Sequence, residues 1–269
     1  MERFHLGFIG CGTMGSSIIR GILQNGMIKD RNVWINDLDA GKTAPFEKEF
    51  AVNIAADISE LCRNSDIIVI SIKPDGFNYL LQELRAYLET DQVIVSVAAG
   101  INTAYIEKIL GKQRVIRVMP NTPCLIGEGM MALAAGKYAL PDDPAIIEKI
   151  FKPLGLTVRI SETKMNAVTA LSGSGPAYVF LFIEALVDGG VNLGLDRRIA
   201  TKLALQTLLG SARMAEKMDF SISDLKNMVT SPGGTTMAAL KVFEENAFRG
   251  TIINAMARAA DRAEELEDK

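Results

Sequence analysis

The sequence predicts an α/β protein in two parts: a doubly wound sheet over residues 1–162 and an all-α domain over residues 163–269. Three observations carry this. Short apolar, β-branched runs alternate with amphipathic stretches through the first part. A glycine-rich turn separates the first run from the first amphipathic stretch. No convincing strand pattern appears after Lys164. Runs such as Ile67-Ile68-Val69-Ile70 suit strands covered on both faces. A βαβα alternation predicts a parallel sheet with right-handed crossovers.

Taken in order, strands are expected at Phe4–Ile9, Val33–Asn36, Asp66–Ile70, Gln92–Val97 and Val115–Met119. The intervening helices are expected at Thr13–Asn25, Ala44–Phe50, Ile58–Arg63, Phe77–Leu88 and Thr103–Leu110. Gly129–Ala134 and Thr157–Ile160 extend the sheet, with the helix Pro144–Phe151 between them. The second part reads as helices at Met165–Leu171, Pro176–Asp188, Arg197–Lys217, Ile222–Thr230, Thr235–Asn246 and Thr251–Glu267. Pro176 suits a first turn, and Gly189-Gly190 and Gly194 read as C-terminal stops. Ala177–Val187 is apolar nearly all round, so it must be covered on most sides. A domain of this size has limited interior, and an intertwined homodimer supplies the cover.

Composition narrows the function classes. Of 269 residues 48% are hydrophobic and 23% charged, which excludes global disorder. Lys plus Arg total 29 against 32 Asp plus Glu, for a net charge of −3. That balance argues against a nucleic-acid footprint and a polybasic membrane tether. No run reaches the roughly 18 apolar residues of a membrane span. Met1-Glu2-Arg3-Phe4 carries no basic leader and enters a strand directly, so a cytoplasmic protein is expected. The 3 Cys and 1 His have no metal-ligand spacing, so no metal site or disulfide framework is expected. The 12 Met read as core filler.

The strongest local signal is Gly10-Cys11-Gly12-Thr13-Met14-Gly15, between strand Phe4–Ile9 and a helix containing Ile18, Ile19, Ile22 and Leu23. Its glycines serve a tight turn, backbone approach to a pyrophosphate, and close helix–strand packing. The helix start offers free N–H groups and a positive dipole end. The alternative, an ordinary glycine turn, is disfavoured by the strand–turn–helix context. Asp37, after Val33-Trp34-Ile35-Asn36, stands where an acid accepts the ribose hydroxyls of NADH and repels the 2′-phosphate of NADPH. It also suits a plain cap for the turn that follows. Ser71-Ile72-Lys73-Pro74, Ala98-Ala99-Gly100 and Pro120-Asn121-Thr122-Pro123 follow later strands at the edge where such sheets bind ligands.

Two glycine-rich turns interrupt the helical part: Ser172-Gly173-Ser174-Gly175-Pro176 and Ser231-Pro232-Gly233-Gly234-Thr235-Thr236. Each suits an anion at successive backbone N–H groups, and each equally suits close helix packing. A carboxylate at the amides of Thr235 and Thr236, beside a threonine hydroxyl, is chemically sensible. The single His, His5, lies in the first strand, so a His general base is not expected. Cys11 and Cys124 have no evident base and read as packing residues.

Together these segments, with Val97-Ala98-Ala99-Gly100, Met119-Pro120-Asn121-Thr122-Pro123 and Leu171 through Tyr178, appear in the order and spacing of the pyrroline-5-carboxylate reductases, which the whole chain resembles. Ser231 through Thr236 is the most specific piece. The resemblance implies an N-terminal Rossmann domain, an all-helical C-terminal domain that interlocks with a partner, often in a decamer of five dimers, and reduction of 1-pyrroline-5-carboxylate to L-proline by NADH or NADPH. It implies Thr236 as the residue that hydrogen-bonds the ring nitrogen. The amides of Thr235 and Thr236, with Gly234, Ser174 and Glu162 nearby, meet the substrate. Cofactor contacts are implied at Ile9, Gly10, Cys11, Gly12, Thr13, Met14, Gly15, Asn36, Asp37, Ser71, Ile72, Lys73, Pro74, Ala98, Ala99, Gly100 and Asn121. Asp37 departs from many relatives, which carry Arg or Ser there, and Met228 stands where some carry Asn. Competing readings are another imine or β-hydroxyacid-type dehydrogenase on the same architecture, and a dinucleotide-binding regulator without catalysis.

Overall fold

A computed structural model describes residues 4–267; Met1–Arg3, part of the reading of the N-terminus, lie outside the described residues. The chain divides into two compact units, Met1–Ser174 with Ala259–Lys269, and Gly175–Arg258.

The first unit runs β1 (Leu6–Ile9), α1 (Thr13–Gln24), β2 (Val33–Asn36), α2 (Ala40–Glu49), β3 (Asn53–Ile54), α3 (Ile58–Arg63), β4 (Ile67–Ile70), α4 (Phe77–Leu84), β5 (Val93–Ser96), α5 (Thr103–Leu110), β6 (Arg114–Met119), β7 (Gly129–Ala135), α6 (Asp143–Phe151), β8 (Gly155–Arg159) and α7 (Met165–Val168). The strands form one sheet in the order β3-β2-β1-β4-β5-β6-β7-β8. Side chains of β4 alternate between two cores. Ile67 and Val69 join Phe8, Ile18, Ile19 and Ile22 on one face. Ile68 and Ile70 join Leu61, Phe77 and Leu81 on the other. Both faces are therefore covered, as the unbroken apolar run demands.

Three features differ from the expected sheet. Neighbouring strands from β3 through β6 pair in parallel, but β7 runs antiparallel to β6. The link between them holds only a short turn, Thr122–Ile126, and a parallel return needs a crossover of about a dozen residues or more. β8 then pairs in parallel with β7 across α6. Second, β3 was too short to read from the sequence. Third, α2 starts at Ala40 rather than Ala44, because the Asp39 carboxylate accepts the Gly41 N–H at 2.9 Å and caps the helix there.

A π-helical turn, Thr169–Gly173, follows α7. The second unit begins with α8 (Gly175–Asn192), then α9 (Arg197–Lys217), α10 (Ile222–Met228), α11 (Thr235–Glu245) and the start of α12 (Phe248–Glu267), whose last residues, from Ala259, belong to the first unit. Gly189-Gly190 does not stop α8, which runs on to Asn192; Gly194, at φ 94°, ends it. Gly190 serves packing instead. A Cβ there would lie 3.1 Å from that of Ala200, so its absence lets α9 approach. Val187, Ala200 and Ala204 bury between α8 and α9, while Val179, Phe180, Leu181, Leu203 and Ile253 stay exposed. The helical stretch Glu162–Asn192 is long and apolar enough, by length and composition alone, to cross a membrane. The expectation that no such segment exists is corrected accordingly.

Candidate functional site

The glycine turn after β1 is shaped by contacts no larger residue fits. Gly10 stands at φ 96°, and a Cβ there would lie 2.5 Å from the Ser71 carbonyl oxygen. A Cβ on Gly15 would collide with the Gly10 carbonyl oxygen. Gly12, by contrast, faces open space: nothing lies within 4 Å of its built Cβ. It is the N-cap of α1 with no side-chain cap and no acidic residue in the first turn. The first amides of α1 are thus left to whatever enters from outside. These features fit the pyrophosphate of a dinucleotide.

Asp37 does more than the sequence indicated. Its Oδ2 accepts the Cys11 N–H at 2.7 Å, and its Oδ1 accepts the Asp39 N–H at 2.9 Å. Lys42 Nζ lies 3.6 Å from Oδ1. The carboxylate ties the end of β2 to the glycine turn and caps its own loop, and its remaining lone pairs stay available to a hydroxyl. Asn36 Nδ2 donates to the Ala55 carbonyl at 3.0 Å, which fixes the neighbouring loop.

Ser71 and Ile72 press on Gly10, while Lys73 and Pro74 are exposed at a short helical turn. Ala98 and Gly100 are buried and Ala99 is exposed. Asn121 is braced within its loop: Oδ1 accepts the Met130 N–H at 2.8 Å, and Nδ2 donates to Ser172 Oγ at 3.3 Å. The loops after β1, β2, β4, β5 and β6 therefore bring Ile9–Gly15, Asn36, Asp37, Ser71–Pro74, Ala98–Gly100 and Asn121 to the carboxyl edge of one sheet.

Both cysteines here are free and buried. Burial, and then the charge of Asp37, push the Cys11 thiol up to about 12. Burial also raises Cys124, whose Sγ lies 3.8 Å from Met14 Sδ. Among the described residues, no group of three or more His, Cys, Asp or Glu is placed to hold a metal ion.

Sequence reasoning missed Arg117. It sits on β6, 1% exposed, and its Nη1 donates to Glu162 Oε1 and to Glu267 Oε1, both at 2.7 Å. The available signal was a charged residue inside the apolar run Val115-Ile116-Arg117-Val118. Glu162 is half-buried and held by this arginine. Ser174 is also half-buried, its N–H donating to the Thr169 carbonyl at 2.8 Å to close the π turn.

In the second unit, Gly233 at φ 71° turns the chain into α11, and the Gly234 N–H donates to the Ser231 carbonyl at 3.0 Å. Gly234 is an extended N-cap without a side-chain cap. Thr235 is exposed and Thr236 half-buried on the opening turn. The first amides of α11 have no partner in their own helix, a geometry suited to a carboxylate. Glu162 and Ser174 thus lie in the first unit, and Gly234 through Thr236 in the second.

Comparison with known proteins agrees with both halves. Residues 162–266 match the family model "Pyrroline-5-carboxylate reductase dimerisation", and residues 5–100 match "NADP oxidoreductase coenzyme F420-dependent". A pyrroline-5-carboxylate reductase of Arabidopsis thaliana is 41% identical over 98% of this chain and 96% of its own. That of Escherichia coli is 38% identical over 99% of each. A crystal structure of the Plasmodium falciparum pyrroline carboxylate reductase with NADP bound superposes with a TM-score of 0.90, at 36% identity and 99% coverage of both chains. The structure of a pyrroline-5-carboxylate reductase from Coxiella burnetii gives 0.92, at 37% identity and 98% coverage of both. The chain belongs to the pyrroline-5-carboxylate reductase family.

Proposed function

We propose that this protein reduces 1-pyrroline-5-carboxylate to L-proline with NADH or NADPH, the last step of proline biosynthesis. We propose further that residues 1–162 bind the dinucleotide, that residues 163–269 bind substrate and dimerise, and that the working unit is a cytoplasmic homodimer. The observation that carries this reading is the full-length similarity to the reductases. An uncapped, glycine-framed helix start at Gly12 and a second at Gly234 support it.

The bound nicotinamide supplies a hydride to the imine carbon. The chain's own residues bind and orient. The first amides of α1 hold the pyrophosphate, with Gly10, Gly12 and Gly15 allowing its approach. Asp37 keeps the turn in shape and accepts from ribose, which favours NADH; Lys42, 3.6 Å from that carboxylate, offsets part of its charge toward a 2′-phosphate. The amides of Thr235 and Thr236 hold the substrate carboxylate, and the Thr236 hydroxyl meets the ring nitrogen. A cyclic imine can be protonated in solution before attack, so no strong acid is needed beside it. That agrees with a site without a histidine and with cysteines held as thiols. Positioning and exclusion of water then do most of the catalysis.

The test is a spectrophotometric assay of reduced-nicotinamide loss with racemic pyrroline-5-carboxylate, run with each nucleotide in turn. Turnover is expected with this substrate and a lower KM for NADH; no turnover with either nucleotide refutes the assignment. Thr236→Ala is expected to lower turnover by more than about tenfold, or roughly 1.4 kcal/mol in the barrier. Unchanged turnover removes Thr236 from the mechanism.

A further inference from the structure

The Ala98–Gly100 loop, implied above to contact the cofactor, is backed by the last turn of α12. Gly100 stands at φ 73°, and a Cβ there would lie 3.0 Å from Leu266 Cβ and 3.2 Å from the Leu266 carbonyl oxygen. The last turn of α12 therefore rests on the backbone of this loop, with no room for a side chain between them. A second contact fixes that turn. Glu267 Oε1 accepts from the buried Arg117 Nη1 at 2.7 Å, and Asn166 Nδ2 lies 3.5 Å from Glu267 Oε2. Arg117 reaches this place because β6 lies beside β5, with Arg117 in register with Ser96 just before the loop.

We infer that the last turn of α12 is a strut that positions the Ala98–Gly100 cofactor loop, with Glu267 and Arg117 as the positioning pair. A buried arginine fixes its partners more firmly than a surface pair, because separating them strands a charge away from water. Ion pairing at Glu267 is thereby turned into a fixed position for Leu266, and hence for Gly100. The inference rests on the cofactor reading above, and the experiment separates the two.

Glu267→Gln suits the test, because Arg117 keeps Glu162 as its ionic partner and the core is not left with an unpaired charge. Glu264→Gln, an exposed neighbour, is the charge-matched control. Binding of NADH and NADPH to the full-length dimer is measured by fluorescence titration, with steady-state kinetics alongside. Glu267→Gln is expected to weaken nucleotide binding by about fivefold or more, with the KM for pyrroline-5-carboxylate unchanged. Glu267→Asp should recover part of the loss, and Glu264→Gln should match the parent chain. Parent protein that binds neither nucleotide defeats the cofactor reading. Parent protein that binds, with Glu267→Gln binding equally well, defeats the strut alone. A fall in active enzyme with both KM values unmoved assigns Glu267 to stability only and likewise defeats it.

Discussion

In the first unit, β4 is almost wholly enclosed, with Ile68, Val69 and Ile70 at 0% exposure, whereas α8 of the second unit leaves Phe180 at 60% and Leu181 at 67%. Both segments are runs of large apolar side chains, so sequence hydrophobicity does not separate them. What separates them is the cover each unit provides. A sheet flanked by helices on both faces buries its strands within one chain. A group of helices contributed by 84 residues, Gly175 to Arg258, does not bury an all-round apolar helix by itself. Exposed apolar area of this kind marks an interface. Together with the matched dimerisation model over residues 162–266, it favours a second copy of the chain over a lipid bilayer as the cover.

A charge placed on that face tests the contrast most severely. Leu181→Asp puts a carboxylate where the proposed dimer buries a leucine, at a cost of several kcal/mol. The mass measured by light scattering at micromolar concentration should fall from dimer to monomer, and turnover should fall more than about tenfold. Nucleotide binding, which is proposed for the enclosed unit, should change by less than about twofold. A fully active monomer breaks the comparison, since the second unit would then need no partner.

The converse experiment leaves the interface alone and disturbs the enclosed unit. Gly10→Ala forces a side chain onto a positive-φ backbone and against the Ser71 carbonyl, costing about 1–3 kcal/mol of stability. Chemical denaturation should register that loss, and nucleotide binding should weaken by at least about tenfold, while the dimer mass stays unchanged. Unaltered binding would mean that the glycine turn is not where the dinucleotide rests.

The two units also differ in how legible they were. The strands of the first unit announced themselves, because burial on both faces demands continuous β-branched runs and the glycine motif marks the first turn. The direction of β7 did not, because it is set by the length of the link after Met119, not by the strand's own residues. Arg117 was hidden by distance: its partners Glu162 and Glu267 stand 45 and 150 positions away. Asp37 reads from the sequence as a ribose acceptor or a turn cap; its bond to the Cys11 N–H joins residues 26 apart and has no local signature. In the second unit, helix positions were clear from periodicity. Gly189-Gly190 misled because a glycine that stops a helix and one that admits a neighbour look the same until α9 is in place.

The smallest expected effect concerns the thiols, all three of which lie in the enclosed unit. Burial pushes both Cys11 and Cys62 up to about 12 from an ordinary value of 9.0. A raised thiol pKa means that the folded protein keeps a proton which the unfolded chain releases as pH climbs from about 9 towards 12. The thiols therefore contribute stability below that window and lose it within the window. The same shift governs reactivity. At pH 8 a thiol with a pKa near 12 is thiolate in about one molecule in ten thousand, and each further pH unit raises that fraction about tenfold. Alkylation of the native protein by iodoacetamide, followed by mass spectrometry of the Cys11 peptide, should be negligible at pH 7–8. It should climb steadily above pH 9 without a plateau. Rapid labelling of Cys11 at pH 7 would place a reactive thiolate in the glycine turn. It would also show that the first unit is less closed than its core implies, and that the contrast with α8 is one of degree.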